Sequence, residues 1–141
     1  MVQEGRIASI EPAQGRHADF DLGNVAILPG FVNAHTHLEL SPLDDEPRVI
    51  EDEIDWLRSV IRQRRRRTET ESRETVERNL AEVLASGTTL LADTTTRGLS
   101  WNAIARAPVR GVVFSEILGL KRMRGLETDH EAWEWIGSIK P

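Results

Sequence analysis

His35 and His37 are separated by a single residue in the run Phe31-Val32-Asn33-Ala34-His35-Thr36-His37-Leu38. The run is apolar at its start and follows a Pro29-Gly30 break, so it reads as a strand, stopped by Ser41-Pro42 and the acidic stretch 44–47. Side chains alternate along a strand, so residues two apart present both imidazoles on one face. Neutral imidazoles suit Zn²⁺, Fe²⁺ or Ni²⁺. The same spacing also fits two polar residues at a strand end facing water. The pair lies at the C-terminal end of a strand that opens a strand–helix series, where α/β folds place their sites. Glu39 continues the histidine face; it could bind a polar substrate group, orient a neighbour or close a salt bridge at the rim. Glu116 shares a face with Val112 and Phe114 at the end of a later strand. It could reach a substrate or stay a solvated carboxylate. Asp93 and Thr94 end the strand between them, and hydrogen bonds to adjacent loops are their expected role.

The elements that must position these groups follow from periodicity. Residues 5–10 form a short strand closed by Glu11-Pro12, Gly15 marks a turn, and residues 21–28 form a second strand. After the histidine strand, Ile50, Ile54, Leu57, Val60 and Ile61 recur at helical spacing and predict an amphipathic helix. Arg62 and the run Arg64 to Arg67 occupy its last turn, where cations favour the helix dipole; Glu69, Glu71 and Glu74 follow at once, so a solvated helix end outweighs a nucleic-acid contact. Ser72 is the expected N-cap of a second helix, with Val76, Leu80, Val83 and Leu84 as its apolar face and Gly87 at C′. Residues 88–94 read as a buried strand, 100–107 as a short helix and 110–118 as another buried strand. Thr128-x-x-Glu131 matches a capping box and opens a last helix. Trp56, Trp101, Trp133 and Trp135 are expected to pack helices against the sheet. Strands alternating with helices imply βαβ units and a parallel sheet.

Composition narrows the classes. The chain has 141 residues, 39% hydrophobic and 29% charged, which is the make-up of one ordinary folded domain. The apolar residues fall in periodic runs, which argues against a mostly disordered chain. No stretch approaches the ~18 apolar residues of a membrane span, and the first residues lack the basic start and apolar middle of a signal peptide. Cysteine is absent, which excludes disulfides, thiolate ligands and a cysteine nucleophile. The formal net charge of −5 argues against nucleic acid as the main partner. The expected compartment is the cytoplasm, with no membrane partner.

The segment from Leu28 to Leu38 (LPGFVNAHTHL) resembles the first barrel strand of the metal-dependent amidohydrolase superfamily. Within it, the segment is similar to the deaminase and chlorohydrolase branch, and the extension Glu39-Leu40-Ser41 looks most like its aminodeoxyfutalosine-deaminase-like members. Residues 25–28 lie where that family's small β-sandwich feeds the barrel, while 85–93 and 109–118 resemble its second and third strands. The resemblance implies an incomplete (β/α)8 TIM barrel, holding about the first three βα units over residues 29–141. Residues 1–28 would be a remnant of the small β-sandwich domain. It implies a hydrolase of non-peptide C–N bonds, such as a deaminase of an amine-bearing heterocycle, acting on a small-molecule substrate. One divalent metal ion, zinc first and iron or nickel next, would make water nucleophilic near neutral pH. His35 and His37 would be metal ligands, with Glu39 and Glu116 as candidate substrate contacts.

The family pattern further requires a histidine from the fifth strand, another from the sixth and an aspartate from the eighth. A complete barrel typically takes ~250 residues. The remaining histidines, His17 and His130, sit at no strand end. Catalytic zinc normally has three protein ligands and water, so no complete catalytic set is expected here. The expectation is an N-terminal fragment of an amidohydrolase, clipped also before the Gly5-Arg6-Ile7 segment, inactive alone. It would either self-associate or be completed by a partner chain as half of a split enzyme. The competing class is a non-catalytic α/β module that binds a partner protein.

Overall fold

The computed structural model describes residues 1–12, 15, 17–40, 52–117 and 122–139. The chain opens with an antiparallel hairpin, β1 (Val2–Gln3) and β2 (Arg6–Ile7), in which Val2 pairs with Ile7 and Gln3 with Arg6. Glu4 and Gly5 both take positive φ, 51° and 73°, as a two-residue type I′ turn requires. The expected strand over 5–10 is therefore only the second arm of this hairpin. The expected strand over 21–28 does not form. Asp21 Oδ1 instead accepts the Gly23 amide at 2.8 Å, and Gly23 turns the chain with φ of 69°. A side chain that captures a backbone N–H two residues on competes with a ladder. Leu22, Val25, Ile27 and Leu28 stay exposed.

Strands β3 (Phe31–Thr36), β4 (Thr88–Thr95) and β5 (Arg110–Ser115) form one parallel sheet in the order β3-β4-β5. Helices α1 (Glu53–Arg66) and α2 (Glu69–Ala85) link the first two strands, α3 (Trp101–Arg106) links the next two, and α4 (Arg122–Ser138) follows β5. The sheet starts at a tight junction: a Cβ on Gly30 would run into the Thr89 side chain, so only glycine lets the two strands close there. The core is Leu38, Val76, Leu80, Leu91, Ala103 and Ile104. It lies between the sheet and the α2–α3 side. The opposite face is bare: Val32, Val112 and Phe114 are exposed.

Helix ends depart from the sequence reading in two places. Helix α2 starts at Glu69, not after Ser72: Thr68 is the N-cap and forms a reciprocal capping box with Glu71. Ser72 donates its hydroxyl back to the Thr68 carbonyl. Its other end is as expected, with Gly87 just past the Ser86 cap at φ of 86°. Helix α4 is already under way at Thr128, whose hydroxyl donates to the Gly125 carbonyl at 3.2 Å instead of capping. Helix α1 carries the expected apolar stripe, but Ile54, Leu57 and Ile61 remain exposed and none of its residues is fully buried. Of the tryptophans, Trp101 and Trp135 meet edge to face, with centroids 6.4 Å apart, while Trp133 is exposed. The predicted stop over 41–47 and the first stripe residue Ile50 lie outside the described residues, while the strand expected over 110–118 already ends at Ser115, with Glu116 and Ile117 beyond it.

Candidate metal centre

Register decides which face His35 occupies. Asn33 pairs with Leu91 but Thr36 with Asp93, so β3 carries one residue more than β4 across this interval. The extra residue makes a bulge, steadied by the His35 amide donating to Asn33 Oδ1 at 3.3 Å. Beyond the bulge Thr36 shares the helix-covered face with Asp93, and His35 falls on the open face. Strict alternation from Val32, which opposes Leu90 on the open face, would have sent His35 toward the helices. His37 lies one residue beyond the strand, and its ring meets that of His35 edge to face, centroids 5.1 Å apart and 82° between planes. His35 is exposed and His37 half-buried.

The backbone just after the pair is clamped from several elements. Asn79 of α2 donates to the Leu38 and Leu40 carbonyls, both at 2.8 Å. Asp93 of β4 accepts the Leu38 amide at 2.8 Å. Arg67 donates to the Glu39 carbonyl at 3.2 Å. Asp93 is completely buried, and burial pushes its carboxyl above the usual carboxylate range. Contact with Ser100 and the Leu38 amide pull it back, the Glu39 charge raises it, and the His37 imidazole lowers it. Asp93 Oδ2, Ser100 Oγ and His37 Nδ1 are all buried without a well-formed hydrogen bond among the described residues.

Glu39 is buried at the mouth of the sheet. Its Oε2 accepts the Thr95 hydroxyl at 2.9 Å and the Thr96 amide at 3.0 Å; its Oε1 accepts the Thr96 hydroxyl at 2.9 Å. Arg64 Nη2 stands 2.6 Å from Oε1, an ion pair by distance whose N–H directions miss the oxygen. Arg64 Nη1 also donates to Glu116 Oε2 at 3.1 Å. The two candidate substrate carboxylates are thus joined through one guanidinium at the C-terminal ends of β3, β4 and β5. Glu39 has both oxygens occupied, while Glu116 keeps some access to solvent.

The two imidazole rings are in contact, with centroids 5.1 Å apart, and both carry nitrogen donors of the softness that suits a divalent cation. Among the described residues no group of three or more His, Cys, Asp or Glu side chains comes together to hold a metal. His17 is exposed, and His130 pairs with Glu134 on α4 at 3.3 Å; neither ring is in contact with the pair. A cleft of about 670 Å³ lined by Arg97, Trp101, Glu131 and Trp135 shares no residue with this site.

Sequence reasoning singled out the two histidines and the two glutamates as candidates, and it did not anticipate that Arg64 and Asn79 contact the residues around them. Arg64 was concealed in a run of arginines with an adequate explanation in the helix dipole. Asn79 had a signal: it is a polar residue beside Leu80 and three past Val76, on the face α2 turns to the core.

No described helix is long and apolar enough to cross a membrane. The profile of the Amidohydrolase family matches residues 26–123. Among individual proteins, the chain is 32% identical over 96 residues to an aminodeoxyfutalosine deaminase of a Nitratiruptor species, covering 68% of this chain and 24% of the relative. It is 31% identical over 121 residues to an imidazolonepropionase of Saccharopolyspora erythraea, covering 77% of this chain and 30% of the relative. The chain therefore spans less than a third of the length of the curated relatives it matches. The matched segment holds the histidine strand, both following strands and every clamp around them, and on that ground the chain belongs to the amidohydrolase family.

Proposed function

We propose that the chain supplies the metal-binding entry of a hydrolase acting on non-peptide C–N bonds, deaminating an amine-bearing heterocycle or opening a similar bond. One observation carries this reading: two imidazoles lie ring to ring at the C-terminal end of a parallel strand. The family match and the activities named for its relatives support it. His35 and His37 would hold one divalent ion, zinc first and iron or nickel next. When bound, such an ion makes water nucleophilic near neutral pH and polarises the attacked carbon's substituent. Glu116 would contact a polar group of the small-molecule substrate, and Glu39 would hold the rim in place through Thr95, Thr96 and Arg64. Residues 29–141 would be the opening βα units of a barrel, with 1–28 belonging to a small β-sandwich. The 141-residue chain alone would turn over no substrate, since two ligands make a weak site.

The bare sheet face favours a second form of the same reading, in which another chain completes the barrel. The test joins this chain to the Nitratiruptor relative in place of the segment it matches. The chimera should release ammonia from that relative's substrate in a chelator-sensitive way, and His35→Ala should lower turnover by about 100-fold or more. Equal turnover with and without His35 would contradict the reading.

A further inference from the structure

Helices α1 and α4 each carry an apolar stripe that the fold leaves open. On α1, Ile54, Leu57 and Ile61 stand three and four residues apart, so they share one face, and they are between 41% and 59% exposed. The helix packs inward with a different face: Ser59, Val60, Gln63 and Arg64 are its partly covered residues, and Arg64 ties it to Glu39 and Glu116. On α4, Leu126, Trp133 and Ile136 share a face at spacings of seven and three and are between 47% and 65% exposed. That helix also packs with another side, burying Ala132 and laying Trp135 over Gly98, where a Cβ would run into the indole. At 1.5 Å per residue the two stripes are about 10 and 15 Å long, so one can lie along the other.

Charge makes the two stripes complementary. Arg58 and Arg65 follow Ile54 and Ile61 by four residues, and Arg62 follows Arg58 by four, so arginines border the α1 stripe. Glu127 and Glu134 follow Leu126 and Trp133 by one residue, and Asp129 stands four before Trp133, so carboxylates border the α4 stripe. From Gly125 to Ser138 that helix has four carboxylates and no Lys or Arg. The pairs these groups make within their own helices, Arg58 with Asp55 at 3.0 Å and Glu134 with His130 at 3.3 Å, are exposed and hold little.

We propose that α1 of one copy docks on α4 of a second copy, apolar stripe against apolar stripe, with Arg58, Arg62 and Arg65 facing Glu127, Asp129 and Glu134. The chain itself supplies both halves of a complementary pair, and within one copy neither stripe is covered by the described residues, so a second copy is the occupant. Under two-fold symmetry the contact is made twice and the pair closes. Opposite charges fix which helix meets which, while the apolar stripes supply the area removed from water. The inference is independent of the metal-centre reading.

The test uses the full chain with Phe114→Lys throughout, which takes the bare sheet face out of the comparison. Sedimentation of that chain at micromolar concentration should still show a dimer, weakened by added salt. One variant then reverses α1 (Arg58→Glu, Arg62→Glu, Arg65→Glu) and another reverses α4 (Glu127→Lys, Asp129→Lys, Glu134→Lys). Each alone should associate about 10-fold more weakly or worse. An equimolar mixture of the two should regain the dimer, because every contact in the mixed pair again sets opposite charges together. The single reversals Arg62→Glu and Glu127→Lys repeat the mixing with the least disturbance to either helix. A monomer at every concentration before reversal, reversals without effect, or mixtures that stay apart would each overturn the proposal.

Discussion

At the scale of single residues, Arg64 has the largest structural leverage. It ties the buried Glu39 to Glu116 across the mouth, and removing it strands a carboxylate that is 2% exposed. Breaking a buried pair from one side costs about 3 kcal/mol or more, though the threonine hydrogen bonds to Glu39 remain. Arg64→Met should lower the unfolding free energy measured in urea by about that amount, and a change below about 0.5 kcal/mol would show the pair to be idle. Arg64→Lys should not restore the loss, because one ammonium cannot repeat the two-nitrogen fork. The chemistry at this scale was legible only in part. His35 and His37 announce themselves by type and spacing, and so do two glutamates. What those glutamates touch was not legible, because Arg64 arrives from a separate helix 25 residues after Glu39 and 52 before Glu116.

Among the elements, helix α2 sets the position of Asn79 and so the path of the chain after His37. Its two ends are held by local chemistry. Thr68→Ala should cost about 1 kcal/mol through loss of the cap. Gly87→Ala should cost about 1–2 kcal/mol, because φ of 86° forces a Cβ against the following carbonyl. Thermal melts of the two variants check both. The capping box also makes α2 sensitive to acid. Hydrogen bonds from the Thr68 amide and hydroxyl hold the Glu71 carboxyl below its ordinary value. A depressed folded value means stability that is present above the unfolded value of about 4.3 and lost as pH falls through the folded one. Wild type should therefore lose stability below about pH 4 more steeply than Glu71→Gln, and parallel profiles would contradict the assignment. The buried strand β4 and the Gly87 stop were readable from a β-branched run and a single glycine; β5 forms where its apolar run predicts a strand, but it is not buried, with Val112 and Phe114 about half exposed. The start of α2 was misplaced because Thr68 and Ser72 both precede glutamates and only the fold chooses between them. The bulge in β3 left no mark in the pattern, yet it sets the face of His35.

The whole molecule presents a three-stranded parallel sheet covered on one side. Val112 and Phe114 are about half exposed on the other, and Val32 is more so. Two edges without a partner strand among the described residues and an apolar face are a template for association. Sedimentation at micromolar concentration should show mass rising with concentration, and Phe114→Lys should shift the distribution toward monomer. A single monomeric boundary for wild type would contradict this. The parallel α/β class was legible from the alternation of strands and helices. The N-terminal region was not, because residues 21–28 look apolar enough for a strand but have no partner strand among the described residues.

The central claim is that His35 and His37 take the same cation. The chain has four histidines, so each side chain can be followed separately as Zn²⁺ is added, by long-range proton–nitrogen NMR. The account predicts that His35 and His37 shift together, saturating at one equivalent, while His17 and His130 stay in place. Shifts spread over all four, or confined to His17 and His130, would contradict it.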